Sequence, residues 1–182
     1  MLYSRTMCDT GYTVRDLAAD LRNLKAQGLD EPAMLREAPE LVKRLVLMKH
    51  NWLRGYMTTP RADPGPAMSR YVLHEEPDHS LALFVVTSRV GQSNAPHDHG
   101  TWAVIAGLEG WETHCLWKRA SGDEVEAQHP GRRIDAATVV AIPSGVIHSL
   151  HNDSDAVAVT LQLYGMNVDF TEHRTYKPRR PS

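Results

Sequence analysis

The spacing of hydrophobic positions changes near residue 55 of this 182-residue chain. Between residues 13 and 49 they recur at helical spacing, which predicts two or three helices. Thr13 has the residue type of an N-cap, Asp16 follows it by three residues, and Gly28 is a helix stop. The pattern therefore predicts a helical segment over residues 1–55 that packs on the rest of the chain.

Beyond residue 55 the pattern is that of short strands. Four turn-forming residues mark a loop before them, namely Pro60, Pro64, Gly65 and Pro66. The predicted strands span residues 70–76, 80–88, 101–110, 113–120, 137–143, 147–152 and 156–165. Many short strands at near-regular spacing favour a closed sandwich or barrel, because closure removes exposed strand edges. We predict a barrel over residues 56–170 and a tail over residues 171–182.

Composition and charge exclude several classes of protein. The net charge is −2 and acidic and basic residues are mixed, so we expect neither a nucleic-acid nor a membrane partner. No apolar run approaches the roughly 20 residues of a membrane span, and we expect a soluble, cytoplasmic monomer or homodimer. Cys8 and Cys115 are too few for a disulfide framework and should be reduced thiols. The basic stretch at residues 177–180 is predicted to be a solvated, frayed terminus.

Histidines carry the candidate chemistry. The stretch GQSNAPHDHGTW contains His97 and His99, which would point into one interior because alternate strand residues share a face. A metal needs a third ligand, and the stretch PSGVIHSLHN offers His148. Neutral imidazole suits Fe, Zn, Cu, Mn or Ni, so these residues do not name the metal. We place six other histidines at the surface or in an outer layer around the site: His74, His79, His114, His129, His151 and His173.

The two histidine segments together resemble the paired motifs of the cupin superfamily. The first motif is matched by Gly91, His97, His99 and Gly110. The second is matched by Pro143, Gly145, His148 and Asn152, with Ala137 where a glycine is expected. The resemblance covers residues 90–165 and implies a mainly β fold, the double-stranded β-helix or jelly-roll barrel, with a metal inside it.

One expected ligand is absent. Many cupins carry a glutamate four or five residues after the second histidine, where this chain has Ala103 and Val104. A three-histidine cupin preceded by helices resembles the cysteine dioxygenase family of thiol dioxygenases. That resemblance implies one Fe(II) on His97, His99 and His148, with a small thiol and O2 as substrates and a sulfinate as product. Val104 also stands where animal members have a cysteine that is cross-linked to tyrosine, so that thioether is excluded.

The last predicted strand contains Thr160, Gln162 and Tyr164, which is similar to the family's Ser-x-His-x-Tyr. The resemblance implies that the Tyr164 hydroxyl forms a hydrogen bond with the bound reactants. Thr160 keeps the hydroxyl of the family serine. Gln162 can donate a hydrogen bond to Tyr164 but cannot carry a proton as the family histidine can.

The residue that would bind a substrate carboxylate has changed. The family uses the arginine of a Tyr-x-Arg sequence, and the matching sequence here is Tyr71-Val72-Leu73. Arg70 precedes the tyrosine and would point to the opposite face of a strand. The arginines that remain as candidate anchors are Arg54, Arg61, Arg70 and Arg89. Tyr71 and Trp102 are candidate pocket residues, although packing is the better assignment for Trp102.

The loss of the family arginine at Leu73 argues mildly against free cysteine as the substrate. A 3-mercapto acid, a mercaptosuccinate-like diacid or another small thiol stays open.

Two other functions stay open. One is a different three-histidine dioxygenase, which would cleave a carbon-carbon bond in a diketone-like substrate. The other is a cupin that is not an enzyme and binds a small molecule beside a structural metal.

Overall fold

The computed structural model describes residues 11–53, 67–128 and 131–179. Its helices are α1 (Val14–Ala26), α2 (Glu31–Leu47) and α3 (Lys49–Trp52). Thr13 caps α1 as predicted, because its side chain accepts a hydrogen bond from the Asp16 amide and Asp16 bonds back to the Thr13 backbone. Gly28 follows the end of α1 with a φ of 72°, a conformation that favours glycine. The predicted helix start and stop are both confirmed, whereas the proline-rich loop lies outside the described residues.

The rest of the described chain is mainly β. Its strands are β1 (Met68–Glu75), β2 (Ser80–Ser88), β3 (His97–Asp98), β4 (Ala103–Glu109), β5 (Glu112–Ser121), β6 (Glu124–Ala127), β7 (Arg132–Ile134), β8 (Val139–Ile142), β9 (Ile147–His151), β10 (Ala158–Met166), β11 (Arg174–Thr175) and β12 (Lys177–Pro178). One sheet has the order β1-β2-β10-β4-β8. The other has the order β11-β3-β9-β5-β6-β12, with β7 paired to β5.

All seven predicted strands are present, with ends displaced by no more than two residues. The sequence prediction missed β3, β6, β7, β11 and β12, which are two to four residues long. Such runs are too short to display the alternation that identifies a strand. The missed strands include β3, on which His97 lies, so the strand that matters most to the site is one that the pattern does not reveal.

The tail is ordered differently from the prediction. Lys177 and Pro178 pair in parallel with β6, and Arg174 and Thr175 pair antiparallel with β3. The prediction of a frayed terminus is therefore wrong for Lys177 and Pro178, because backbone pairing holds a stretch whose side chains are exposed. Arg180 lies outside the described residues.

Strand β2, in the five-stranded sheet, is buried on both faces. Along β2, Leu83 and Val85 belong to an apolar cluster with α1 and α2, whereas Phe84 and Val86 belong to a separate cluster inside the barrel. We call the first cluster the helix layer. Because every residue of β2 is buried, its sequence is a continuous apolar run rather than an alternating one. None of the helices in the described ranges combines the length and the apolar character of a membrane span.

Candidate metal centre

Three histidines converge at one end of the barrel. His97 lies on β3, His99 follows that strand, and His148 lies on β9 directly opposite His97 in the antiparallel register. Alternation gives His97 and His99 the same face, and the register brings His148 to them. The prediction that His97 and His99 share one interior is confirmed.

The geometry of the three imidazoles fits one metal ion. One nitrogen from each ring can be chosen so that all three lie within 4.8 Å of one another. The Nε2 atoms of His99 and His148 are 3.1 Å apart. Two imidazole nitrogens bound at about 2.1 Å to one divalent ion, at a right angle, would be about 3.0 Å apart. The donor set therefore suits a divalent transition metal.

The charge state of the histidines also favours a metal. Burial lowers the pKa of His99 to about 3 and lowers the pKa values of His97 and His148. All three rings are therefore neutral at pH 7, with a lone pair free on each. The Nδ1 of His97 lies 2.9 Å from the Ala95 carbonyl oxygen. Donation to that oxygen leaves the Nε2 lone pair of His97 to bind a metal.

A cavity of about 270 Å³ opens beside these rings. Its walls include His97, His99 and Tyr164, together with apolar residues such as Val86 and Val168. Drug-sized ligands occupy pockets of about 300–1,000 Å³, so this volume suits a smaller molecule. The cavity thus gives a small ligand access to the candidate metal position.

Tyr164, Gln162 and Thr160 form a buried hydrogen-bonded chain along β10. The Tyr164 hydroxyl donates to Gln162 Oε1 at 2.5 Å, and Gln162 Nε2 donates to Thr160 Oγ1 at 3.0 Å. Gln162 therefore accepts from Tyr164, the reverse of the predicted donation. The Tyr164 ring lies 4.9 Å from the His99 ring, centroid to centroid. Burial raises the Tyr164 pKa, so its hydroxyl keeps its proton at neutral pH.

Of the candidate substrate-binding residues on β1, one lies at the cavity and the other faces the helix layer. Arg70 lines the cavity, where its guanidinium contacts Asp169 at 2.6 Å and lies 4.8 Å above the Phe84 ring. Tyr71 packs against the helix layer. The face of β1 opposite Tyr71 and Leu73 is therefore the cavity face. Of the candidate arginines that the structure describes, Arg70 is the one in position to contact a ligand.

Trp102 and Arg89 are not among the described residues that line this cavity. Trp102 belongs to the helix layer and covers Gly165, where an added Cβ would lie 2.3 Å from the indole nitrogen. Its preferred assignment to packing agrees with this placement. Arg89 directly follows the last residue of β2. Arg54 and Arg61 lie outside the described residues.

Two buried polar residues lie behind the histidines. The sequence analysis placed His114 only at the surface or in an outer layer around the site, and it did not identify Glu112. His114 is 6% exposed, and its ring centroid lies 5.2 Å from that of His148. Glu112, two residues earlier on β5, is 2% exposed, and burial raises its pKa to about 7. Two of the cavity's other polar residues, Asp169 and His173, were also missed as functional candidates. The signal for Glu112 and His114 was present, since polar residues at alternate positions of a half-buried strand share a face.

Comparison with known proteins identifies the fold. No family model matches the chain. No curated protein matches its sequence. Among solved structures, the chain is similar to an uncharacterized conserved protein with a double-stranded beta-helix domain from Klebsiella pneumoniae subsp. pneumoniae, with 12% identity and a TM-score of 0.52 over 69% of this chain and 88% of that chain.

Two further solved structures overlap less closely. A recombinant oxalate oxidase in complex with glycolate has 17% identity and a TM-score of 0.49, over 66% of this chain and 60% of that one. The Cnp3 cupin domain of Schizosaccharomyces pombe has 16% identity and a TM-score of 0.44, over 59% of this chain and 70% of that one. At such identities a likeness concerns the fold alone. The chain thus has the predicted mainly β, double-stranded β-helix fold with helices before it. Its three histidines form a candidate metal site.

Proposed function

We propose that this protein is a non-haem Fe(II) thiol dioxygenase that converts a small carboxylated thiol to its sulfinate. The observation that carries the proposal is the ligand set, which is three neutral histidines beside a small cavity. Within the described residues no carboxylate joins this ligand set, and at the two positions where many cupins have a glutamate, Ala103 faces the barrel and Val104 packs in the helix layer. Neutral ligands leave the full charge on a divalent ion, which favours an anionic partner such as a thiolate.

The reaction is balanced as R–SH + O2 → R–SO2⁻ + H⁺. The S–H and O–O bonds break and two S–O bonds form, so that sulfur is oxidised and dioxygen is reduced. Bound Fe(II) would supply the position at which the thiolate and dioxygen meet. The chain holds the two reactants close together and excludes water from the reacting atoms.

Arg70 would bind the carboxylate of the thiol. Its guanidinium lies in the cavity, and its present partner Asp169 has a side chain that is 57% exposed. A pair exposed to this extent is worth little, so a substrate carboxylate can replace Asp169 at modest cost. The bond between guanidinium and carboxylate is charge-assisted and directional. Arg70 therefore favours a 3-mercapto acid or a mercapto diacid over an uncharged thiol.

Tyr164 would hold a proton beside the reacting atoms. Its ring lies on the barrel side of β10 beside the His99 ring, and the hydrogen bond to Gln162 fixes the orientation of its hydroxyl. Because its pKa is raised, the hydroxyl remains a hydrogen-bond donor at neutral pH. Gln162 does not titrate, so the chain Tyr164-Gln162-Thr160 orients a proton rather than relaying one.

The test is oxygen consumption by Fe(II)-loaded protein with cysteine, 3-mercaptopropionate, mercaptosuccinate and cysteamine. We expect uptake with at least one carboxylated thiol, little with cysteamine, and none for the His97→Ala variant or the Zn(II)-loaded protein. Arg70→Ala should raise KM for the carboxylated thiol by about tenfold, the value of one charge-assisted bond, and leave cysteamine unaffected.

The outcomes separate the alternative functions. Uptake with a diketone and none with any thiol would identify the protein as a dioxygenase that cleaves carbon-carbon bonds. No uptake with either class, together with tight metal binding, would identify a cupin that binds without catalysis. Either result would overturn the thiol dioxygenase proposal.

A further inference from the structure

Residues 171–179, which we call the C-terminal strap, run alongside β3, the strand that carries His97 and directly precedes His99. Thr175 pairs with His97 and Arg174 pairs with Asp98. On the other side, β3 meets β9 through a single residue pair, His97 with His148. Because β3 has only two residues and one pair with β9, its two pairs with the strap contribute much of the backbone pairing that holds β3 in position.

Further hydrogen bonds tie the strap to both ends of the His-Asp-His sequence. The Tyr176 amide donates to the Pro96 carbonyl oxygen at 2.8 Å, directly before His97. The Thr171 hydroxyl donates to the His99 carbonyl oxygen at 2.6 Å. The backbone on each side of Asp98 is thus bonded to the strap.

Tyr176 makes the central contact of the strap. Its ring is 3% exposed and packs with Val125 and Ile147 on the face of the second sheet opposite to His148. Its hydroxyl donates to Asp98 Oδ2 at 2.5 Å and accepts from the Arg119 guanidinium at 2.6 Å. The guanidinium also lies 4.7 Å above the ring. The hydroxyl is therefore held from two sides.

Asp98 transmits this contact to the histidines. Its carboxylate is 7% exposed, and its Oδ1 accepts a hydrogen bond from the Gly100 amide at 3.2 Å. A buried carboxylate without a hydrogen-bond partner is energetically unfavourable. The hydrogen bonds of Asp98 therefore fix the position of its carboxylate. Asp98 lies between His97 and His99, and any rotation of the Asp98 backbone would turn both imidazoles.

We propose that the C-terminal strap is part of the metal centre and that Tyr176 is a positioning residue, which acts through Asp98 to fix the geometry of His97 and His99. Metal sites depend on ligands held to within about 0.5 Å, and loss of outer hydrogen bonds typically costs 10–100-fold in affinity. The proposal requires the three-histidine centre but not thiol oxidation.

The experiment is a Co(II) titration of the 182-residue protein, monitored by visible absorption spectroscopy and by competition with a chelator. Tyr176→Phe removes only the hydroxyl, and we expect about tenfold weaker Co(II) binding with an altered spectrum. Tyr12→Phe is the matched control. Tyr12 also donates to a carboxylate, Asp20 at 2.7 Å, beneath an arginine 4.2 Å above its ring, but it belongs to the helical segment.

The control separates positioning from stability. Both variants should lower the free energy of unfolding, whereas Tyr176→Phe alone should change metal binding. A Tyr176→Phe protein with the affinity and spectrum of the original would overturn the proposal even if it were less stable. If that variant does not fold, Thr171→Val tests the strap at the His99 carbonyl, where weaker binding supports the proposal and unchanged binding overturns it. Both readouts are independent of thiol oxidation.

Discussion

Strand β10 contributes to two interiors that differ in chemistry. Val159, Leu161 and Leu163 point to the helix layer, where they meet apolar side chains of α1, α2 and the neighbouring strands. Thr160, Gln162 and Tyr164 point into the barrel, where they form a hydrogen-bonded chain. Both sets are buried, so burial by itself does not distinguish a packing face from a functional one.

The two interiors also differ in how well polar groups are satisfied. In the described residues, three buried side-chain atoms lack a hydrogen-bond partner: Glu112 Oε2, His114 Nε2 and His148 Nδ1. All three lie on β5 or β9 of the second sheet, none in the helix layer. Unpaired buried polar atoms cost free energy, so we interpret the barrel as an interior that gives up stability to hold a site.

The strongest test of this difference between the barrel and the helix layer is to remove a candidate metal ligand. We expect His148→Ala to lose metal affinity by more than about 100-fold, because only two imidazoles remain and second-layer changes alone cost up to about that factor. The fold should persist, since the helix layer is untouched. Metal content after dialysis, measured beside circular dichroism, checks both statements. Unchanged metal occupancy would remove His148 from the ligand set.

The reverse experiment changes the helix layer. Leu161 is fully buried there, and Leu161→Ala should lower the free energy of unfolding by about 2–5 kcal/mol. Metal affinity should not change, because the side chain points away from the histidines. Urea unfolding and a metal titration measure the two effects, and Leu161→Met is the volume-matched control. A matching loss of metal affinity would mean that the two interiors are coupled.

The pH dependence of stability tests the barrel interior through Glu112. Burial raises its pKa from 4.5 to about 7, so the folded state binds more protons than the unfolded state between these values. The Glu112 contribution therefore favours folding below pH 4.5 and is lost as the pH rises to 7, by at most about 3 kcal/mol. Glu112→Gln should remove that loss.

Urea unfolding of metal-free protein at pH 5 and pH 8 measures the Glu112 effect. The buried histidines have lowered pKa values and give the opposite slope, with stability lost as the pH falls below 6.5. They are common to both proteins, so the difference between Glu112→Gln and the original isolates the carboxyl. If the free energies of unfolding of the variant and the original protein differ by the same amount at pH 5 and at pH 8, Glu112 does not have the raised pKa in the folded state.

The smallest expected effect is on turnover, and it compares a tyrosine that faces the barrel with one that faces the helix layer. Tyr164→Phe should keep the metal and lower turnover by about tenfold, equivalent to one hydrogen bond of about 1.4 kcal/mol. Tyr71→Phe is its control, because Tyr71 packs against the helix layer. Steady-state oxygen consumption with the best thiol compares them. Equal turnover in both variants would make Tyr164 a packing residue.

Local sequence patterns predicted much of the fold and part of the site. The Thr13 cap, the seven longer strands and the shared face of His97 and His99 depend on residues close together in sequence. The two-residue repeat of a strand predicts which side chains share a face. That repeat predicted the shared face of His97 and His99, and the motif around His148 supplied the third histidine.

The sequence by itself thus determined the helical segment, the seven longer strands and the three histidines of the candidate site. Tertiary structure decided which face of β1 points inward, and hence that Arg70 reaches the cavity and Asp169, 99 residues away in sequence. It also decided that Tyr176 bonds to Asp98 across 78 residues. The physical reason is that periodicity gives the relative orientation of neighbours along a strand, whereas the inner face and the distant partner are set only when the sheets pack.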